Sequence, residues 1–246
     1  VDAALKLLDS EGRILAASDD EPGSGTDPRL SHVFSKNETV YIEVREVRYQ
    51  GGKFYRLRVG DFPLPIAAFP MVAQAGVKTS FASVGLPGES SLSRSARMSG
   101  LYGTPSQFSI GFRGSEHHAS GFVPLRLVKE PPFIEKEPNN QLPEAHSIES
   151  SATLTGRMQI PDDVDIYAFE AKKGQHFHFR PFCRSLGSPA FLLLSLQDEK
   201  GRVLASAGNG NLAEESLHHV ASADGRLFLL VSELAGRGAP AFHYAI

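Results

Sequence analysis

Residues 194–205 read LSLQDEKGRVLA, and residues 5–16 read LKLLDSEGRILA, with seven of the twelve positions identical. Alternating leucines, an Asp-x-x-Gly turn and a second apolar run are typical of a β-hairpin, in which glycine takes the positive φ of the turn. The segment therefore predicts two antiparallel strands. Its repetition predicts two copies of one β-structure in the chain.

The repeat continues beyond this hairpin. The two copies differ by 189 in residue number in the hairpin, where Gly12 matches Gly201. Further on they differ by 187: residues 40–46 match 227–233, and residues 55–59 match 242–246. Both copies therefore end at the same place, Val59 and Ile246. The second copy carries residues 133–193 ahead of its matched part, whereas the first carries only residues 1–4. We expect the chain to begin inside a domain whose front half is missing.

Period-2 alternation of apolar and polar residues recurs in the second half of the chain, for example at residues 165–171 and 175–180. Such alternation is typical of strands with one buried face. Residues 223–226, which read ADGR, predict a further hairpin turn. No stretch has the apolar spacing of a long amphipathic helix. The sequence therefore predicts an all-β chain of antiparallel β-sandwich or jelly-roll-like domains in tandem.

Composition divides the chain into three parts. The stretch that begins at Pro63 is rich in Gly, Ser and Pro and carries short apolar runs, which is typical of a small β-sandwich. The paired prolines of residues 129–133, KEPPF, predict an extended linker. We therefore expect the C-terminal half of a truncated sandwich at residues 1–62, a β spacer and linker at residues 63–132, and a complete sandwich at residues 133–246.

Net charge, cysteine content and motif content exclude several classes of function. A formal net charge of -3 and an isoelectric point of about 6.3 give no basic surface for nucleic acid. No run of about 18 apolar residues could span a membrane. The single cysteine, Cys183, can form neither an internal disulfide nor a cysteine-based metal site. Because the sequence lacks a Gly-x-Ser-x-Gly motif and an assignable Ser-His-Asp set, we expect the chain not to be an enzyme.

Acidic and amide side chains gather at the start of the last domain. Glu135, Glu137 and Asn139 alternate, so in an extended segment they point the same way. Asp163 and Asp165 do the same at the start of a strand. Calcium takes six to eight oxygen ligands, so two such sets facing each other would form a hard-cation site. Acidic residues ahead of strands are also common as solvated loop residues, and spacing alone leaves both interpretations open.

Histidines offer a second candidate ligand set. His176 and His178 share one strand face, and further histidine pairs lie at residues 117–118 and 218–219. Residues two apart on a strand can chelate zinc, but no third ligand is identifiable. We therefore favour surface or cross-strand histidines over a zinc site.

The ordered motifs of residues 133–246 carry a family resemblance. In chain order they are Glu137-Pro138-Asn139-Asn140, Leu154-Thr155-Gly156, Asp163-Val164-Asp165-Ile166-Tyr167-Ala168-Phe169, Lys173-Gly174-Gln175 and Asp198-Glu199-Lys200-Gly201-Arg202. On these motifs the last domain resembles the bacterial pre-peptidase C-terminal domain family, which is similar in fold to the collagen-binding domains of clostridial collagenases. Residues 1–59 resemble the back half of the same family. Residues 69–77 resemble the immunoglobulin-like spacer found between such domains in planctomycete surface proteins.

The resemblance implies a calcium site in the last domain. The residues that match the family's ligands are Glu135, Glu137, Asn139, Asn140, Asp162, Asp163 and Asp165. Calcium bound there would clamp the linker onto the sheet and order the entrance of the domain. Asn140 departs from the acidic residue of the family pattern, which removes one charge and lowers the expected affinity.

The resemblance also implies a location and a function. We expect a non-catalytic, calcium-binding β-sandwich region of a secreted or cell-surface bacterial protein, acting as a structural or adhesive spacer. The alternative is a polymer-binding module, for a collagen-like protein or a polysaccharide, that accompanies a secreted protease. An exposed aromatic patch would favour the alternative, and the candidates for it are Tyr41, Tyr49 and Tyr55. The expected partners are therefore extracellular proteins or polysaccharides.

Overall fold

A computed structural model describes residues 1–85, 91–99, 106–114, 118–208 and 214–246 of the chain. Within these ranges nineteen β-strands form six sheets, and the helical structure consists of two short 3-10 turns, Leu142–Glu144 and Arg184–Leu186. The predicted all-β fold is confirmed. Among the described residues there is no helix with the length and apolar character needed to cross a membrane.

The strands fall into three groups along the chain, which we call the first unit (residues 1–62), the middle unit (residues 63–132) and the last unit (residues 133–246). The first unit holds β1 (Ala3–Leu8), β2 (Ile14–Ser18) and β3 (Tyr41–Glu46). The middle unit holds β4 (Ala67–Phe69), β5 (Val72–Gln74), β6 (Lys78–Val84), β7 (Ser93–Arg97), β8 (Ser106–Arg113) and β9 (Ala119–Val128). The last unit holds β10 (Phe133–Ile134), β11 (His146–Ser147), β12 (Leu154–Arg157), β13 (Val164–Ala171), β14 (His176–Phe179), β15 (Leu192–Asp198), β16 (Val203–Ala207), β17 (Leu217–Val220), β18 (Gly225–Glu233) and β19 (His243–Ala245).

The first and last units contain three strands with the same register. β1 pairs with β3 so that Leu7 lies opposite Ile42, and β15 pairs with β18 so that Leu196 lies opposite Leu229. These two pairs match at the offsets of 189 and 187 found in the sequence. The hairpins β1–β2 and β15–β16 also have their bulge at the same matched position. The repeated sequence therefore forms the same three-stranded arrangement in both units.

An aspartate holds the turn of each of these hairpins. Asp198 Oδ1 accepts hydrogen bonds from the backbone N–H groups two and four residues later, both at 3.0 Å, and its Oδ2 accepts one from Arg202 Nε at 3.1 Å. Asp9 accepts the same three bonds, with Arg13 as the side-chain donor. Gly201 follows with a φ of 74°, a conformation that favours glycine. These bonds explain why Asp, Gly and Arg are identical in the two copies.

The middle unit consists of two three-stranded sheets, in the orders β4-β6-β7 and β5-β9-β8. Their apolar faces share one core, to which Phe81 and Ile110 contribute from facing sheets. Along β9 the alternate residues Val123, Leu125 and Leu127 are buried in that core, as the two-residue period of a strand requires. The β5–β9 pair is parallel, as are β10–β12 and β11–β13 in the last unit.

The last unit is built on a five-stranded sheet in the order β11-β13-β18-β15-β16. The sheet β10-β12-β19 and the pair β14–β17 complete its main hydrophobic core, and a smaller buried cluster that includes Ile166, Ala168 and Phe228 lies apart from it. The predicted hairpin turn at residues 223–226 is wrong. β17 pairs with β14, whereas β18 lies between β13 and β15, so these residues carry the chain from one sheet to another.

The middle and last units pack directly against each other. Leu186 and Ala245 of the last unit share a buried apolar cluster with Met71 and its neighbours in the middle unit. A Cβ atom at Gly187 would lie 2.0 Å from the carbonyl oxygen of Ile66, and the φ of Gly187 is 95°. Only glycine fits this contact, because any side chain would clash with backbone. The close approach fixes the last unit against the middle unit.

Candidate metal centre

The segment that enters the last unit lies along the starts of β12 and β13. The N–H of Glu135 donates to the carbonyl oxygen of Thr155 at 3.0 Å, which extends the parallel pairing of β10 with β12. Further along, the carbonyl oxygen of Asn139 accepts the N–H of Ile166 at 3.1 Å. Because the segment is held at both ends, the side chains of Glu135 and Asn139 are both buried against the sheet.

Asp165, on β13, is fully buried at the centre of the site. Asn139 Nδ2 donates to its Oδ1 at 2.8 Å, and the hydroxyl of Tyr244 donates to its Oδ2 at 2.5 Å. The hydroxyls of Tyr244 and Tyr167 share a further hydrogen bond of 2.6 Å. The carboxyl group is therefore positioned by the entering segment, by β13 and by β19 together.

Three carboxyl groups converge at this point. One oxygen from each of Glu135, Glu137 and Asp165 lies within 4.8 Å of the other two. Glu135 is held in place by the N–H of Arg157 at 3.1 Å and by the side-chain amide of Gln159 at 3.0 Å. Glu135 and Asp165 are buried and Glu137 is exposed, so the group is open to solvent on the Glu137 side.

Burial and mutual repulsion make these groups costly to ionise. Burial, followed by the negative charges of Glu135 and Asp163, raises the pKa of Asp165 to about 8, although the hydrogen bond from Tyr244 opposes the shift. Burial also raises the pKa values of Glu135 and Glu137. No ion pair within the described residues joins any of these carboxylates to a basic side chain. A cation bound between them would remove this electrostatic cost.

Tyr244 and Gly156 shape the site, and neither was predicted as part of it from the sequence. A Cβ atom at Gly156 would lie 2.5 Å from the hydroxyl oxygen of Tyr244 and 3.0 Å from Oε2 of Glu135, so glycine leaves the room these groups need. The sequence does hold a signal for Tyr244. The matched residue of the first copy is Leu57, and a buried tyrosine in place of an apolar residue needs a partner for its hydroxyl. Gln159 leaves no comparable signal.

The other predicted ligands lie beside this group or turn away from it. Asp163 is buried, and the side-chain amide of Asn140, with its nitrogen toward Asp163, donates to Asp163 Oδ1 at 2.9 Å. Asp162 is exposed, has a left-handed φ of 60°, and faces Gly236, to whose carbonyl oxygen its N–H donates at 3.0 Å. The structure brings together Glu135, Glu137, Asn139 and Asp165. Asp163 and Asn140 adjoin them, and Asp162 does not.

The donor set fits a hard divalent cation. The converging atoms of Glu135, Glu137 and Asp165 are carboxylate oxygens, which are the ligands that calcium prefers. Zinc sites instead use nitrogen and sulfur ligands, usually four in a tetrahedron. The buried amide of Asn139 is bonded to Asp165 and adds a neutral polar group next to the carboxylates. The arrangement therefore offers an anionic oxygen cage with one open side.

Two of the candidate histidines lie together on the surface. His178 of β14 lies opposite His218 of β17, and their rings stack with centroids 4.1 Å apart. Within the described residues, the groups of three or more side chains that could hold a metal contain no histidine. His117 lies outside the described residues. The two stacked rings form a cross-strand contact on the exposed face of the pair β14–β17.

A second acidic group lies in the first unit. Oxygens of Asp2, Asp19 and Asp20 lie within 4.8 Å of one another. None of the three residues is buried, and Asp2 forms an ion pair with Arg48 at 3.0 Å. Because solvent screens these charges, their repulsion does not require a cation, in contrast to the buried group in the last unit.

The chain matches no family model and no curated protein. Among solved structures it is similar to the pre-peptidase C-terminal domain of collagenase from Bacillus anthracis. The two share 18% sequence identity, the alignment covers 45% of this chain and 96% of the collagenase domain, and the TM-score is 0.34.

Proposed function

We propose that this chain is a non-catalytic, calcium-binding β-sandwich region of a secreted or cell-surface bacterial protein, and that it acts as a structural or adhesive spacer. The observation that carries the proposal is the convergence of Glu135, Glu137 and Asp165, two of them buried. An oxygen-only donor set of this charge suits calcium. Bound calcium would convert a repulsive cluster into a link between two parts of the fold.

Calcium at this site would join the entering segment to the sheet. Glu135 and Glu137 belong to the segment, and Asp165 belongs to β13. Of the other predicted ligands, Asn139 is bonded to Asp165, and Asn140 and Asp163 lie beside the group, whereas Asp162 faces Gly236 and is left out of the proposed site. The site also lies close to the middle unit, because Arg157, whose N–H holds Glu135, places its guanidinium 5.7 Å from the ring centre of Phe69. A cation here would stiffen the connection between the two units, which supports a spacer role.

The openness of the site supports an extracellular location. Calcium sites of extracellular modules have dissociation constants of about 10⁻⁴ to 10⁻³ M. A site in which Glu137 is exposed fits this weak range, because its carboxylate is hydrated and screened when no cation is bound. Such a site is filled only where calcium is abundant. A secreted or cell-surface protein meets that condition.

Calorimetric titration of the full chain with calcium tests this proposal. We expect one site in the last unit, and we expect Glu137→Gln to weaken binding about tenfold or more, because it removes a charged ligand. Glu170→Gln is the matched control, since Glu170 is an exposed glutamate further along β13 and lies outside the cluster. Equal calcium affinity in the two variants, or no binding at millimolar calcium, would refute the proposal.

The polymer-binding alternative depends on exposed aromatic residues. Tyr41, Tyr49 and Tyr55 are all exposed in the first unit. Tyr41 matches Phe228, which is buried in the last unit, and Tyr55 matches Phe242, which is partly buried there. Tyr41 and Tyr55 therefore occupy core positions of this strand arrangement, and they are exposed because no further strands pack over them in the first unit. Tyr49 is therefore the one of these three suited to contact a protein or polysaccharide partner. Retention of the chain on collagen or an insoluble polysaccharide, with loss of retention in Tyr49→Ala, would support the alternative.

A further inference from the structure

A tight loop of the first unit, residues 21–25, lies where the three units meet. Glu21 and Gly25 form an isolated antiparallel bridge, and the N–H of Ser24 donates to the carbonyl oxygen of Glu21 at 3.0 Å. The hydroxyl of Ser18, at the end of β2, also donates to the carboxylate of Glu21 at 3.1 Å. These bonds fix the shape of the loop and its position beside β2.

The tip of the 21–25 loop touches the backbone of the last unit. A Cβ atom at Gly23 would lie 2.8 Å from both the N and the Cα atom of Gly187, and 3.1 Å from Cγ of Pro124 in the middle unit. Any side chain there would push these atoms away, and closely packed backbone does not give way as the end of a flexible side chain does. Gly23 therefore allows a contact between backbones that another residue would open.

Gly187 is in contact with both of the other units. Ile66, at the start of the middle unit, supplies one contact, and Gly23 of the first unit supplies the other. Gly187 ends the 3-10 turn Arg184–Leu186. The first and last units thus touch each other directly, although residues 63–132 separate them in the chain.

Arg29 ties the 21–25 loop to the middle unit. Its Nη1 donates to the carbonyl oxygen of Pro65 at 2.9 Å, and its Nη2 donates to the carbonyl oxygen of Pro22 at 3.3 Å. Because a guanidinium group is planar, its donors hold the two carbonyl groups in one geometry. The contact at Gly23 is therefore supported by bonds that join the loop to the middle unit.

Arg58 makes a second tie between the first and middle units. Its Nη2 and Nη1 donate to the carbonyl oxygens of Ala119 and Ser120 on β9, at 2.6 and 3.3 Å. Its guanidinium also lies 3.6 Å from the ring centre of Phe62, at the end of the first unit. Units joined by a linker without such contacts move relative to each other by default. Here the connection is itself bonded to the middle unit.

We propose that the 21–25 loop is a latch that locks the first unit to the last unit, so that the three units hold one fixed orientation. Gly23 makes the contact with Gly187, and Arg29 and Arg58 hold the first unit in position for it. The chain then behaves as one rigid body, and groups on the first and last units are kept at a set distance and angle. This inference involves none of the proposed calcium ligands and does not depend on calcium binding.

Pulsed electron-spin measurement of distance tests the proposal. Spin labels are attached to Ser10→Cys and Glu199→Cys, which replace exposed residues in the matched hairpin turns of the first and last units. Cys183 stays unlabelled because it is fully buried. With a chelator present, the full chain should give one narrow distance distribution. A broad distribution would overturn the proposal.

Two glycines of the 21–25 loop make a matched pair of variants. Both have a left-handed φ, 76° at Gly23 and 66° at Gly25, so alanine causes a similar backbone strain at either position. Only the Cβ atom at Gly23 meets Gly187, since no described atom lies within 4 Å of a Cβ atom at Gly25. Gly23→Ala should broaden the distance distribution about twofold or more, and Gly25→Ala should leave it narrow. Equal distributions in the two variants would overturn the proposal.

A second pair of variants covers the case in which Gly23→Ala does not fold, which circular dichroism detects. Arg29→Ala removes the bonds to Pro65 and Pro22 and should also broaden the distance distribution. Arg48→Ala is the control, because Arg48 forms its ion pair with Asp2 inside the first unit. If Arg29→Ala kept the narrow distribution of Arg48→Ala, the latch would be refuted.

Discussion

Replacing Asp165 by asparagine should abolish the response of the last unit to calcium and, at the same time, stabilise the calcium-free protein. The two effects have one cause. Asp165 is fully buried, and its carboxylate has Glu135 and Glu137 as neighbours, with no basic ion-pair partner among the described residues. Asparagine keeps the shape of the side chain, removes the charge, and leaves calcium without a central ligand.

The size of the stabilisation follows from the pKa. Burial raises the pKa of Asp165 from 3.8 to about 8. A carboxyl group whose pKa is raised by folding stabilises the fold below its unfolded pKa, and this contribution is lost as the pH rises through the folded pKa. The loss begins above the unfolded pKa of 3.8, and pH 7 lies 7 − 3.8 = 3.2 units above it. One pKa unit corresponds to about 1.36 kcal/mol, so the loss at pH 7 is on the order of 4 kcal/mol. The Asp165→Asn protein should recover a large part of it.

The size of the calcium response follows from mass action. At one hundred times the dissociation constant, calcium adds about 2.7 kcal/mol to the stability of the wild-type last unit. For a domain of this size that raises the melting temperature by roughly 10 °C. Asp165→Asn should show no such rise.

Differential scanning calorimetry at pH 7, with calcium or with a chelator, measures both effects. Asp224→Asn is the control, because Asp224 is exposed and its ion pair with Lys172 is long, at 3.7 Å. A full calcium shift in Asp165→Asn would show that the site is elsewhere. A calcium-free Asp165→Asn protein that melts several degrees below wild type would refute the argument from buried charge.

Three further predictions concern protons and packing. Calcium binding at pH 7 should release about one proton, because Asp165 is mostly protonated without the ion. Calorimetry in two buffers of different ionisation enthalpy measures the number of protons released. A heat of binding that is the same in both buffers would contradict this prediction. Burial, aided by the charge of Arg157, lowers the pKa of His243 from 6.5 to about 4, so stability should fall by about 3 kcal/mol as the pH drops through that window. Urea unfolding at several pH values should show this loss in the Asp165→Asn protein and a smaller one in the double variant with His243→Phe, because Asp165 changes the stability of wild type in the opposite direction over the same pH range. Gly156→Ala should cost about 1–3 kcal/mol and weaken calcium binding, because its Cβ meets the Tyr244 hydroxyl. Gly121→Ala, with open space at its Cβ, should leave both quantities unchanged; equal losses would contradict the packing argument.

The sequence was informative wherever a short-range rule decides the structure. The hairpins at Asp9 and Asp198 follow from side-chain-to-backbone bonds within four residues, so the same letters produce the same turn in both copies. Alternation predicted that Glu135, Glu137 and Asn139 point the same way; Glu135 and Asn139 are buried, whereas Glu137 is exposed although its carboxylate converges with that of Glu135. Such rules need no knowledge of the rest of the fold.

Partners that are distant in the sequence could not be predicted in this way. Tyr244 and Asp165 are 79 residues apart, and their hydrogen bond joins β19 to β13 of a different sheet, so it depends on how the two sheets pack together. The turn at residues 223–226 has the composition of a hairpin, but packing of β17 against β14 sends the chain to another sheet. The family resemblance implied that Asp162 is a ligand, but Asp162 has a left-handed φ of 60° and faces Gly236.

The strand β12 has a mechanical consequence, because it holds both ends of the last unit. The N–H of Phe133 donates to the carbonyl of Thr153 at 2.8 Å, and Leu154 exchanges hydrogen bonds of 2.8 and 3.0 Å with Ile246. Entry and exit therefore lie side by side, with β10 parallel and β19 antiparallel to β12. A tensile force between these ends would peel the bonds apart one after another instead of shearing them together. Resistance to tension would then depend on the proposed calcium ion, which would link Glu135 and Glu137 to Asp165 just beyond the first strand to be pulled.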